Sequence, residues 1–479
     1  MKSEIVGVPP DEEAVPAPYA ARWMVLAVVL VAEVMDLLDA TVTSVAAPSV
    51  RADIGGGETT LQWLGAAYTL PFAVLLITAG RLGDLWGRRR LFLIGAAGFT
   101  VASVACAAAT SPGMLLTTRA LQGALGALLI PQGFGLLKEV FPAKELGKAF
   151  GLFGPVMGLS AVGGPIIGGA LVDGDLFGTG WRMIFLINLP LGILAIIGAL
   201  RYMPKGAWLP GVKLDIGGMV LVSLSSVAVV YPLVQGRELD WPLWTFGLLA
   251  LGVAGFVLFV VHQRRHRGQP LVEPSLLSNR AYRGGILVAL TFFAAFTGLL
   301  LVLSLFFQAG LGFSPMRAGL TLAPLALGVA ATSPLSTSLA PRFGRTVIQA
   351  GVAATAAGLG VLAAIVSAVG DDATSWKLAP GIFLVGLGMG FVFAPLFDVI
   401  LAGVSDQEVG SASGVLNAVQ QLANAVGVAV VATFFFSFTD HGYSPSEAMT
   451  RTAVATVGLL LLAFLSGFAL PRTARTEGH

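Results

Sequence analysis

Gly80-Arg-Leu-Gly-Asp-Leu-Trp-Gly-Arg-Arg-Arg90 is a short basic stretch set between two apolar blocks, 60–80 and 91–109. Helical blocks of about twenty apolar residues match the hydrocarbon thickness of a bilayer. Glycines 80, 83 and 87 permit a tight turn, and the arginines at 88, 89 and 90 favour the cytoplasmic side. Asp84 is expected near the start of the following helix, where its charge suits the dipole. The stretch therefore reads as a turn joining two membrane-spanning helices.

Cutting the rest of the chain at charge clusters and at Pro/Gly punctuation extends the pattern to fourteen spans. They are expected at 23–47, 60–80, 91–109, 113–136, 148–171, 183–203, 214–235, 243–263, 284–308, 318–340, 346–368, 378–402, 410–437 and 447–470. Positive charge tests the count, because short cytoplasmic loops keep Lys and Arg. With the amino terminus inside, 21 of the 28 basic residues fall in inner segments and six, Arg51, Arg182, Arg237, Arg317, Lys377 and Arg451, fall outside. A missed or extra helix in the middle would mix the two sets, so both termini are expected to be cytoplasmic. Arg119 alone remains within a span.

A weaker echo of the opening stretch, Pro341-Arg-Phe-Gly-Arg345, joins the tenth and eleventh helices. If the two are equivalent, a six-helix bundle at 23–203 and another at 284–470 flank an extra pair with its linkers at 204–283. Residues 1–22 and 471–479 are then tails. Parallel halves around a site at the midplane are a transporter arrangement.

Composition agrees. Of 479 residues, 56% are hydrophobic and 11% charged, against about 25% charged in soluble proteins. A net charge of +2 implies no nucleic-acid surface, and the lone Cys106 excludes a disulfide framework or a thiolate metal cluster. The run beginning at Arg22 is too long and too acidic for a secretory signal, so it is expected as a retained first span. His262 and His266 have the i, i+4 spacing of metal ligands but stand among arginines, which disfavour a bound cation; a basic interfacial loop is expected instead. Gly386-Leu-Gly-Met-Gly390 lies inside an apolar span, and the chain has neither a His-Glu-x-x-His motif nor a phosphate-binding Walker loop. The four histidines lie at helix ends or in loops, away from bilayer depth. Neither an enzyme, a metal nor a cofactor is expected.

Within the spans, polar groups carry the signal. Glu33, Asp36 and Asp39, spaced by three, fit one 120° sector of the first helix, which cannot face lipid. Three carboxylates with one nearby arginine cannot all be ionised cheaply. Arg119 costs at least ~2.5 kcal/mol at the bilayer centre, so it faces a cavity or a partner. Asp398, late in the twelfth helix, stands either at the cavity or at the cytoplasmic end. In the fifth helix, Gly154-Pro-Val-Met-Gly158 and Gly163-Gly-Pro-Ile-Ile-Gly-Gly169 let another helix come close, while Pro155 and Pro165 remove backbone donors.

Together these stretches resemble the major facilitator superfamily, specifically its fourteen-span drug:proton antiporters. The 80–90 stretch is similar to the family's signature loop, Leu116-Thr-Thr-Arg-Ala-Leu-Gln-Gly123 to its fourth-helix motif, and the fifth-helix glycines to its antiporter motif. Asp39-Ala-Thr-Val-Thr-Ser-Val-Ala-Ala-Pro48, Trp181–Pro190 and Gly410–Gln421 resemble further segments, so the likeness runs from about 23 to 470. It implies an all-α membrane protein with the major facilitator fold, two six-helix bundles and two extra helices. It also implies gating at Asp84, Arg88, Gly164 and Pro165, and proton coupling at Asp39 and Arg119. In the echo, Pro341 stands where the acid of the loop would be, which puts a matching second latch in doubt.

The resemblance implies a proton-coupled exporter of lipophilic, sometimes cationic, drugs or antibiotics. A transporter dedicated to one metabolite, such as a self-made antibiotic, sugar or siderophore, fits the same residues. Glu33 and Asp36 are the candidate contacts to cations, and Trp63, Tyr68, Phe134, Met157, Phe306 and Phe307 could supply an adaptable apolar wall. The expected partners are small molecules, protons and the lipid bilayer, with the protein acting as a monomer. Arginine outnumbers lysine 21 to 7 and Ala and Gly are abundant, a composition that suggests a GC-rich bacterium and hence a bacterial inner membrane.

Overall fold

The computed structural model describes residues 19–142, 145, 149, 152–205, 215–266, 270–401, 404 and 408–470. Among these residues all regular structure is helical, the state in which an apolar segment satisfies its own backbone without water. In chain order the long helices are α1 (Arg22–Ile54), α2 (Glu58–Trp86), α3 (Arg88–Ala107), α4 (Pro112–Val140), α5 (Phe153–Asp173), α6 (Asn188–Tyr202) and α7 (Ile216–Gln235). They continue with α8 (Leu243–Arg265), α9 (Arg280–Leu305), α10 (Ala323–Phe343), α11 (Arg345–Val369), α12 (Ser375–Gly390), α13 (Val409–Asp440) and α14 (Pro445–Ser466).

Twelve of the described segments are long and apolar enough to cross a membrane, and α1 and α5 lie outside that set. In α1 the three acids interrupt the apolar middle of a 33-residue helix. In α5, side-chain placement at several positions, Met157 included, falls outside the described residues.

Local chemistry sets the helix ends. Ser111 caps α4 by accepting from the Met114 N–H, with Pro112 in the first turn, where no donor is needed. Ser444 and Glu447 form a capping box that starts α14.

The turn between α2 and α3 departs from expectation. Helix α2 runs through Gly80 and Gly83 to Trp86, so Asp84 stands in its last turn and not near the start of α3; its side chain lies outside the described residues. Gly87 alone makes the turn, at φ 87°, a backbone region that a β-carbon disfavours. Gly83 serves packing instead: a β-carbon there would run into the Gln132 carboxamide, which is donating to the Ala79 carbonyl at 2.7 Å. The echo behaves alike, since Gly344 at φ 48° is the single residue between α10 and α11.

Helices α1–α6 pack on one another, as do α9–α14, and the two groups meet where α2 lies against α13 and α5 against α10. The pair α7–α8 packs on itself and touches the rest mainly through α7, which contacts both α2 and α13. Only 17% of the apolar stretch within α8 is buried, against 67% of that within Arg280–Gly310, so α8 lies on the perimeter. Gly252 lets the pair close up, because a β-carbon there would sit 3.0 Å from the Val229 nitrogen.

The end of the bundle that carries Gly87 and Gly344 is called the basic end. At the opposite end, Arg237, in the turn after α7, makes ion pairs with Glu58 on α2 and Asp440 on α13. Its neighbour Glu238 accepts from the Thr59 hydroxyl at 2.7 Å.

Candidate functional site

The spacing of three along α1 puts Glu33, Asp36 and Asp39 inside the protein, at 6%, 5% and 0% exposure. Each meets a different environment. Asp39 is ion-paired with Arg119 of α4, itself buried. Its Oδ1 also accepts from Gln122 Nε2 and Asn188 Nδ2, both at 2.8 Å. Both carboxylate oxygens are thereby occupied.

Arg119 is held from several sides. Its NH1 donates to Gln122 Oε1 at 2.8 Å and its Nε to the Leu64 carbonyl at 3.3 Å. The guanidinium lies 4.4 Å from the Tyr68 ring centre and 5.5 Å from that of Phe185, where the negative aromatic face supplements the carboxylate. Ser103 of α3 completes the cage, accepting from Asn188 at 2.9 Å and donating to the Phe185 carbonyl. Removing one member of such a pair costs about 3–5 kcal/mol, because it strands a buried charge.

Asp36 has one close partner, the Tyr68 hydroxyl, which donates to Oδ1. Glu33 has no hydrogen-bond partner among the described residues. Two buried amides are also incompletely bonded: among the described residues Asn188 Oδ1 has no partner, and neither does either carboxamide atom of Gln62, which is fully buried on α2. Buried polar atoms of this kind are usually satisfied by protein or by water. They mark this part of α1, α2 and α6 as able to take up water or a polar group of a ligand.

The glycine run of α5 forms the contacts expected of close-packed helices. Gly164 faces Thr41, and a β-carbon on Gly168 would sit 3.2 Å from the Val42 Cα. Gly169 packs on the segment Pro315–Thr321 that precedes α10, where an added β-carbon would sit 2.7 Å from the Met316 Cα. Gly319 returns the contact against the Pro165 carbonyl. Three hydrogen bonds join the groups at this end: Ser304 Oγ to the Ser44 carbonyl at 2.9 Å, Gln308 Nε2 to that of Val45 at 2.8 Å, and the Met316 N–H to Asp173 at 2.8 Å. The end opposite the basic end is therefore closed. At the basic end Arg88 pairs with Glu139 of α4 at 3.1 Å, across Gly135, which has no side chain to obstruct it.

The expected apolar wall is not assembled as one surface. Tyr68 reaches the acids, whereas Trp63 packs 6.1 Å from Tyr231 of α7, within a small cluster shared by α2, α7 and α13. Phe306 opens a π-helical segment and packs on Phe307, which stacks on Phe313. Phe134 is half-buried beside the α1–α4 core. The side chains of Met157, Asp84 and Asp398 lie outside the described residues. Gln122, Asn188 and Ser103 are members of the site that the sequence reading passes over. The first two lie inside stretches it singles out, and a neutral amide in an apolar span is the signal that would have found them.

The family model described as Major Facilitator Superfamily matches residues 29–428. A probable actinorhodin transporter of Streptomyces coelicolor is 50% identical over 94% of this chain and 80% of its own length. A puromycin resistance protein of Streptomyces alboniger is 36% identical over 99% of this chain and 96% of its own. Among solved structures, a POT family transporter in complex with a thioalcohol-conjugated peptide superposes with a TM-score of 0.67 over 92% of this chain and 95% of its own, at 13% identity, which is a likeness of fold.

Proposed function

Because the chain belongs to the Major Facilitator Superfamily and is a multi-pass membrane transporter, we propose that it exports lipophilic antibiotic-class molecules in exchange for protons. In this reading α1 and α5 join the twelve apolar segments to make fourteen spans, both termini are cytoplasmic, and the monomer is the working unit. Residues 23–203 and 284–470 act as the two moving halves. The observation that carries the reading is the enclosed Asp39–Arg119 pair beside two sparsely bonded acids on the same helix.

A proton on Asp39 would remove the charge that a buried guanidinium is paired with, so loading Asp39 would be tied to the position of Arg119. Glu33 and Asp36, with few bonds of their own, would attract a cation from the cytoplasmic side and release it after protonation from outside. Differential affinity of the two states for proton and substrate then couples the fluxes. The contacts at Gly164, Pro165 and Gly169 would part when the far end opens, while Asp84 and Arg88 would bias the basic end.

A second reading, export of one self-made antibiotic, is favoured by the 50% identity to a probable actinorhodin transporter. Vesicles with an imposed pH gradient test the coupling, with a cationic dye, a neutral antibiotic and an aromatic polyketide as substrates. Wild-type protein should concentrate at least one of them, and Asp39→Asn at matched expression should concentrate none. Uphill transport by Asp39→Asn at the wild-type rate would remove the proposed coupling. Movement of the polyketide alone would favour the second reading.

A further inference from the structure

At the basic end of the α7–α8 pair, Asp215 caps α7. Its Oδ1 accepts from the Gly218 N–H at 2.8 Å and lies 2.9 Å from His262 Nε2 on α8. Its Oδ2 accepts from Gln263 Nε2 at 2.7 Å. One turn further along the chain the ring centre of His266 is 5.2 Å from that of His262. The donor atoms of Asp215, His262 and His266 all lie within 4.8 Å of one another.

Of the arginines that argue against a cation in the sequence, Arg264 and Arg265 are exposed, and Arg267 lies outside the described residues. Arg264 is exposed and donates to the Leu277 carbonyl at 3.3 Å, and Arg265 is exposed to solvent, where its field is screened. Asp215, only 3% exposed, brings a negative charge from another helix into contact with the pair. A hydrogen-bonded lock accounts for Asp215, His262 and Gln263 but leaves His266 without a role.

We infer that Asp215, His262 and His266 form a site for a divalent transition metal of the Zn2+ class that clamps α7 to α8. Two imidazoles and one carboxylate are a borderline donor set suited to Zn2+, with water as the fourth ligand. Bonds of about 2 Å at tetrahedral angles need donor atoms roughly 3.3 Å apart, so the rings must draw in from their present spread. The absence of a side chain at Gly217, whose β-carbon would sit 3.4 Å from His262 Cε1, leaves room beside that ring. The Gly218 N–H and the Gln263 amide already fix the carboxylate, the task of outer partners in a metal site.

The test uses the untagged full-length protein in detergent, stripped with chelator and dialysed against Zn2+ or Co2+. Wild type should retain one equivalent, show the visible absorption of tetrahedral Co2+, and melt at higher temperature with Zn2+ than without. His266→Ala and His262→Gln should bind at least tenfold more weakly and lose the Zn2+-dependent rise. His441→Ala, remote from the cluster in the sequence, should keep both. Matching gel-filtration profiles and metal-free melting curves establish that the variants are folded. No retained metal in the wild type, or an equivalent that survives both variants, would overturn the site. Transport does not enter either readout, so the result leaves the proposed function untouched.

Discussion

Asp39 and Glu33 stand about two turns apart on one helix and differ in what touches them, and the proposed function gives them different work on that ground. Among the described residues, Asp39 is bound by three side chains and Glu33 by none. Glu33→Gln is expected to weaken export of a cationic dye more than that of a neutral antibiotic. A lost charge-assisted contact matters by about 1–3 kcal/mol in a partly dehydrated site, or roughly 5- to 150-fold in apparent affinity. Equal losses for both substrates, measured in vesicles, would remove Glu33 from cation selection. The acids and Arg119 are legible in the sequence because a charge in an apolar block demands an explanation. The amides of Gln122 and Asn188 are not, since their importance comes from three helices converging on Asp39.

Acidity also separates residues. Asp53, in the last turn of α1 and beyond the expected span, is held below the usual carboxylate range by the Trp181 indole N–H at 2.9 Å and the Arg182 guanidinium at 2.7 Å. A depressed folded-state value means that the contribution is complete above the unfolded value of about 3.9. It is lost only as pH falls through the folded value. Asp53 therefore stays charged from pH 5 to 8, and Asp53→Asn should leave the pH profile of transport between those limits unchanged. A shifted profile would place a titrating group of the cycle at this end of α1.

For the helices, the decisive positions are those where a side chain is missing. Gly169→Val would put a branched side chain into the Pro315–Met316 backbone, and the clash can be relieved only by parting α5 from the segment before α10. Transport should fall at least tenfold, and Ser44→Cys in a Cys106→Ser background should react faster with an impermeant maleimide when Gly169→Val is present. Unchanged labelling would show that this contact does not hold the end shut. The sequence marks the glycine run of α5 as a packing surface, but it misplaces the turn after α2. Gly80 and Gly83 look like turn residues, yet both lie inside α2, and Gly83 is there because Gln132, about fifty positions away, needs the space. The contact of His262 with Asp215 is hidden for a similar reason, because Asp215 comes from another helix.

For the whole molecule, orientation is the claim on which the others rest. Tags at Lys2 and His479 should both be cytoplasmic, and single cysteines at Gly174 and Asp371, again without Cys106, should label from outside in intact cells. Labelling of either only after permeabilisation would exclude fourteen spans with both ends inside. Apolar blocks make the all-helical, multi-pass membrane fold legible without coordinates; arginine placement supplies the orientation that these labels test. The aromatic residues are not sorted that way: Trp63, Phe134 and Phe306 look alike in sequence, yet they lie in separate clusters, because nothing local marks which face of a helix meets a neighbour, a ligand or lipid.

The ion pairs of Arg237 bear on how such a molecule can move. One guanidinium bonds to both α2 and α13, while the closure on the opposite flank rests on bare glycine contacts and a few hydrogen bonds. The two flanks are unequal in what it takes to separate them. On the proposed alternating access, a swing that keeps the arginine in place would open the molecule like a door on its jamb, with the α7–α8 side as the hinge and α5 as the free edge.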